Sequence, residues 1–134
     1  LQLIKNQPSY NLTNLENTNA IKAIDNILEN LDKTGINTTT LIDDIKALRV
    51  FALEEEIPLV VKVLRLTYEH IESFGNFFIP IPQDEPIEED TDEDISDENS
   101  PVESLKYLIS LTRNLNNKSN ISDLREYKEL LMSY

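Results

Sequence analysis

Two glycines, Gly35 and Gly75, are all that this chain of 134 residues contains, and that scarcity limits its fold more than any other feature. Sandwiches and barrels turn at nearly every strand end and use glycine at the turn positions that need positive φ. A chain this poor in glycine does not read as all-β. Phosphate-cradling loops are excluded on the same ground, because neither G-x-G-x-x-G nor G-x-x-x-x-G-K can be written. The apolar residues recur instead at helical spacing. Each glycine follows such a run, where a helix end calls for a left-handed residue.

Thr13 to Glu16 has the form of a capping box, and Leu15, Ile21, Ile24, Ile27, Leu28 and Leu31 follow as an amphipathic stripe ending at Gly35. The run Thr38–Thr40 offers the next N-cap, with Asp43 and Asp44 in the first turn, where the helix dipole favours anions. Ile42, Ile45, Leu48 and Ala52 then face inward, with Leu53 at the margin. Pro58 lacks an amide donor and drives Ile57 out of the helical region. Glu54, Glu55 and Glu56 suit a position just ahead of a new helix better than the end of an old one, so two helices are predicted, with Pro58 at N1 of the second. That third helix, near 58–73, presents Val61, Leu64, Tyr68 and Ile71, broadened by Val60 and Val63.

Ser100-Pro101-Val102-Glu103 combines an N-cap hydroxyl, proline at N1 and a carboxylate at N3, which makes it the clearest local signal in the chain. Helix four carries Val102, Leu105, Leu108, Ile109, Thr112 and Leu115, and a fifth, capped by Ser122 or Asn120, carries Leu124, Tyr127, Leu131 and Tyr134. The expected architecture is all-α and a single domain over 1–134, a small bundle of about five helices. An extended N-terminal arm spans 1–12, a three-helix part with an apolar strip spans 13–82, an acidic loop spans 83–100, and a C-terminal helical pair spans 101–134.

The formal charge of −13 is concentrated in one place. Between Gln83 and Glu103 there are 11 carboxylates and no basic residue, while residues 1–82 carry −4 and residues 104–134 carry +2. The protein therefore reads as a nearly neutral helical body interrupted by an anionic tether. Like charges in a block bury too little to offset the entropy of ordering them, so a solvated linker is the first reading. A docking segment for a basic partner is the second, through Glu88, Glu89, Asp90, Asp92, Glu93 and Asp94. Weak calcium binding ranks below both. Asp90, Asp92 and Asp94 match the first three EF-hand ligand positions, but Ile95 stands where the loop needs glycine and Pro101 where it needs a bidentate glutamate. Phosphorylation at Thr91 or Ser96 is the least favoured reading.

The strip from Asn76 to Pro82, NFFIPIP, is too apolar for a free linker and, with Pro80 and Pro82, cannot be helical. Packing across the helices is the preferred reading. If the strip is exposed instead, Phe77, Phe78, Ile79 and Ile81 become the first interface candidates, together with a C-terminal face running from Tyr127 to Tyr134. His70, the only histidine, is flanked by Glu69 and Glu72 off the apolar stripe and reads as an ordinary surface residue. No serine, cysteine or second histidine is placed to complete a triad with it, and two carboxylates among 25 carry no specificity for glycoside chemistry.

Absence of cysteine excludes disulfides, thiolate catalysis and zinc–sulfur sites. No apolar stretch approaches the roughly 18–20 residues of a membrane span. Twelve scattered bases among 25 acids make no nucleic-acid-binding stripe. A chain that begins at Leu1 reads as a processed or excised product, with localisation left open. No cofactor is implied. The leading expectation is a non-enzymatic helical protein-interaction or accessory module. The alternative is a small acidic inhibitor of immunity type that blocks a basic partner.

Overall fold

A computed structural model describes residues 17–82 and 100–134. The predicted N-terminal arm and the acidic loop lie outside the described residues, as do Thr13 and Glu16 of the first predicted capping box. The described part is all-α: α1 (Thr18–Thr34), α2 (Thr38–Glu54), α3 (Pro58–Phe74), α4 (Pro101–Leu111) and α5 (Lys118–Ser133).

Helix starts follow one chemistry that the sequence reading passed over. Asn17, Asn37 and Asn117 cap α1, α2 and α5, each with its side-chain oxygen accepting from an amide two residues on, at 2.7, 3.2 and 2.8 Å. Asn37 and Asn117 replace the Thr38–Thr40 run and Ser122 or Asn120 as the expected caps. Asparagine ranks with serine and aspartate at this position, and Asn17 and Asn37 are each followed by a threonine that itself resembles a cap. Asp43 and Asp44 consequently sit beyond the first turn of α2. The two starts read from proline came out as expected. Pro58 opens α3, and Ser100 caps α4 by accepting from the Glu103 amide at 3.1 Å.

Both glycines end helices at positive φ, Gly35 at +69° and Gly75 at +71°, with their amides donating to Leu31 and Ile71 carbonyls. A third end uses Glu56 at φ +58°. There the Glu56 amide donates to Leu53 and the Ile57 amide to Ala52, the paired bonds of a Schellman turn built without glycine.

The helices pair in a closed circuit: α1 with α2, α2 with α3, α3 with α5, α5 with α4, and α4 with α1. Short turns make α1, α2 and α3 alternate in direction. Lys106 on Asp32 and Arg113 on Asp25 set α4 antiparallel to α1, and Tyr107 on Asp123 with Ser104 on Tyr127 sets α5 antiparallel to α4. A ring of five cannot alternate all the way round, so one pair must be parallel. It is α3 and α5, whose C-terminal ends meet where His70 and Phe74 touch Tyr134.

The core inside this ring is aliphatic, with Phe77 and Tyr127 as its largest members. Two stripes are rotated from the expected ones. On α2, Leu41 is buried and Leu53 half exposed; on α3, Val60, Val63, Leu64, Thr67, His70 and Ile71 are buried while Val61 and Tyr68 lie at the margin.

Candidate interaction surface

The segment after Gly75 must run from the end of α3 to the start of α4, past the C-terminal end of α5. Its prolines keep it extended, so successive side chains point to opposite sides. Phe77 and Ile79 enter the core; Phe78 and Pro80 face outward. Among the described residues no strand lies beside this segment, so its amides and carbonyls must find partners elsewhere. Asn76 Oδ1 accepts from the Phe77 amide at 2.9 Å, His70 Nε2 accepts from the Phe78 amide at 3.1 Å, and Ser104 Oγ donates to the Ile79 carbonyl at 2.6 Å. Ser104 spends its one proton there. The Tyr127 phenol is then the donor toward Ser104, lying 2.9 Å from its hydroxyl and 3.0 Å from its carbonyl. Burial pushes the Tyr127 phenol pKa up, so that hydroxyl stays protonated.

His70 is the main correction to the sequence reading: it is 6% exposed, not a surface residue. The strip covers it. Its ring packs against Phe74 and Tyr134 at 4.8 Å each, Phe77 at 5.6 Å and Phe78 at 6.1 Å. Because Nε2 accepts the Phe78 amide, the neutral ring carries its proton on Nδ1. Burial lowers the His70 pKa from its ordinary value, which keeps the ring in that neutral form.

Outside this buried ring lies a contiguous aromatic surface. Phe74, Phe78 and Tyr134 are 50, 46 and 61% exposed. Their rings contact one another, Phe74 with Tyr134 at 5.1 Å, Phe74 with Phe78 at 6.3 Å, and Phe78 stacked on Tyr134 at 6.4 Å. The structure thus joins two predicted candidates from separate stretches of chain, Phe78 and Tyr134, and adds Phe74. Its spacing of i,i+4 from His70 was a legible signal, since such residues share a helix face. The remaining candidates disperse. Phe77 and Ile79 are buried, as the preferred packing of the strip across the helices expects, and present no outer contact surface; Tyr127 is buried as well, which corrects its place on an outer C-terminal face. Ile81 is half-buried and lines a separate groove of about 430 Å³ between α1 and α4, beside Leu28 and Lys106. Lys106 is held protonated above its ordinary pKa, chiefly by its hydrogen bond to Asp32. Glu88, Glu89, Asp90, Asp92, Glu93 and Asp94 lie outside the described residues.

A second concavity, of about 470 Å³, sits at the opposite end of α3, where Leu53, Ile57 and Val61 form an apolar floor beside Arg49 and Lys62. The Arg49 Nε donates to the Val61 carbonyl at 3.1 Å. Every buried polar side chain among the described residues is committed within the bundle: Thr67 to Val63, Thr112 to Ile109, Ser104 to Ile79, and His70 to Phe78. Among the described residues no group of three or more histidines and carboxylates is arranged to hold a metal ion, and no helix is long and apolar enough to cross a membrane.

Comparison of the chain with protein-family models, with curated protein sequences and with solved structures gives no significant match in any of the three.

Proposed function

We propose that this chain is a protein-interaction module whose contact surface is the aromatic patch of Phe74, Phe78 and Tyr134. A single observation carries the reading: three large aromatic residues, each about half exposed, meet at one end of a bundle whose core is otherwise closed. Exposed aromatic clusters are the usual anchors of protein interfaces, because rigid rings bury much area at small entropic cost. The strip that presents Phe78 is fastened on both sides, by His70 and Ser104, so the patch is already organised for contact. The acidic residues between 83 and 103 bias partner choice and association rate toward basic proteins.

The charge distribution supports a second reading, a small acidic inhibitor of a basic partner, in which the carboxylates themselves form the contact. One experiment separates the two. A photo-crosslinking residue at position 78, with one at Val50 on the far half of α2 as control, identifies the contacting protein. The affinity of that purified protein is then measured for wild type, for Phe74→Ala with Phe78→Ala, and for a variant neutralised at Glu88, Glu89, Asp90, Asp92, Glu93 and Asp94. The patch reading expects a loss of about tenfold or more in the aromatic variant, which persists at high salt. The inhibitor reading expects the larger loss on neutralisation, with a steep salt dependence. Equal affinity in wild type and both variants would overturn both.

A further inference from the structure

We propose that His70 and the Phe78 amide form a proton-operated latch, in which protonation of the imidazole releases the strip at Phe78 and rearranges the aromatic patch. The latch regulates the surface on which the interaction reading rests, but it stands on geometry independent of any partner. His70 is a buried titratable group whose one acceptor nitrogen is the partner of a backbone amide eight residues away. That bond exists only while Nε2 is unprotonated. A proton there puts an N–H against an N–H at 3.1 Å, which removes the bond and sets two donors against each other. The charge would also lie among the rings of Phe74, Phe77, Phe78 and Tyr134. Cation–π attraction offsets part of this cost, but the ring cannot keep both its burial and its acceptor role once charged.

Release has a defined direction. Ile79 stays held by Ser104, and Phe77 by the core and the tilted ring of Tyr127 at 6.3 Å, so the free element is the Phe78 amide and its exposed side chain. Phe78 is the ring that stacks on Tyr134, so its departure breaks the patch from within.

Among the described residues the charged neighbours do not supply a counter-ion. On α3, Glu69 is engaged by Arg65 and Glu72 by Lys46, which comes from α2. Lys46 in turn lies over the Tyr68 ring, not over the imidazole. From α5 the contact is the phenol ring of Tyr134, and from the strip the two phenylalanines. Burial is the sole cause acting on the His70 pKa, and it acts downward. The sign of the linkage follows. The folded protein binds this proton less readily than the unfolded chain, so the stability from the neutral ring is fully present above 6.5 and is lost as pH falls from there through the lower folded value.

The test is amide hydrogen exchange by NMR on the whole chain, alongside titration of the His70 ring protons, from about pH 8 to about pH 5. After correction for intrinsic exchange, protection of the Phe78 amide is expected to fall by about tenfold or more. Its midpoint should coincide with the ring titration. The Gly75 amide, which donates to Ile71 within the helix end, serves as the control and should hold. His70→Gln keeps an acceptor without a titrating group, and its Phe78 protection should be flat. Protection that stays level through the His70 midpoint, or falls equally in His70→Gln, overturns the latch. If the glutamine variant does not fold, the coincidence of midpoints in wild type decides alone. A latch that titrates while Phe78→Ala leaves partner affinity unchanged would refute the interaction reading without touching the latch.

Discussion

The α2–α3 turn and the strip that leaves α3 solve the same problem in different ways. Each must end a helix and satisfy the backbone groups that the end exposes. At residues 55–57 the solution is local: three amide–carbonyl bonds back into α2, at the cost of a glutamate held at positive φ. At residues 76–80 it is distributed, with Asn76, His70 and Ser104 each supplying one bond and Tyr127 holding Ser104. A turn closed by its own backbone is insensitive to distant residues. A strip closed by side chains from three helices couples those helices to one another and to whatever the strip presents.

Substitutions at the two places should therefore differ in reach. Phe77→Ala, which empties a fully buried ring site under the strip, should cost about 3–5 kcal/mol and shift the transition of the whole bundle, as read by urea unfolding. Tyr127→Phe removes only a hydroxyl but takes the buried donor from Ser104, for an expected loss of about 1–3 kcal/mol. If the strip is fastened as described, exchange at the Ile79 end of the segment should rise as well. Ser100→Ala should cost about 1 kcal/mol through loss of the cap on the Glu103 amide, and a thermal midpoint equal to wild type would refute that cap.

The local turn offers the opposite sign. Glu56→Gly should stabilise the fold by about 0.5–1 kcal/mol, the left-handed strain relieved exceeding the flexibility added to the unfolded chain. A destabilised variant would show that the Glu56 side chain contributes contacts that outweigh its backbone. The smallest effect belongs to the outward side of the strip. Phe78→Ala should change stability by less than about 0.5 kcal/mol, because its ring is half exposed and its amide remains available to His70.

Several helix boundaries were legible because their causes are local. Proline at N1, the Ser100 box and the two glycines act within a turn of where they stand. The three asparagine caps are equally local, but threonine, serine and asparagine residues nearby offer the same chemistry, and residue type alone does not say which of them the helix uses. His70 was illegible for a different reason. What buries it is not its own helix alone but a strip eight residues further on and Tyr134, the residue that follows α5. Tyr127 was read as part of an outer face because its spacing fits a stripe, and spacing alone does not say on which side of a ring that stripe lies.

From its residues alone this chain is bound to be helical, aliphatic in its core and divided in charge, since glycine scarcity, apolar period and the clustering of carboxylates all act within short stretches. The order of the helices around the core was a tertiary decision, as were the parallel pairing of α3 with α5 and the gathering of Phe74, Phe78 and Tyr134 around His70. A ring of five helices must contain one parallel pair, and the chain reaches it by carrying a strip across the end of α5. Only when that strip is seated do its backbone groups find their partners, and only then does an aromatic surface exist.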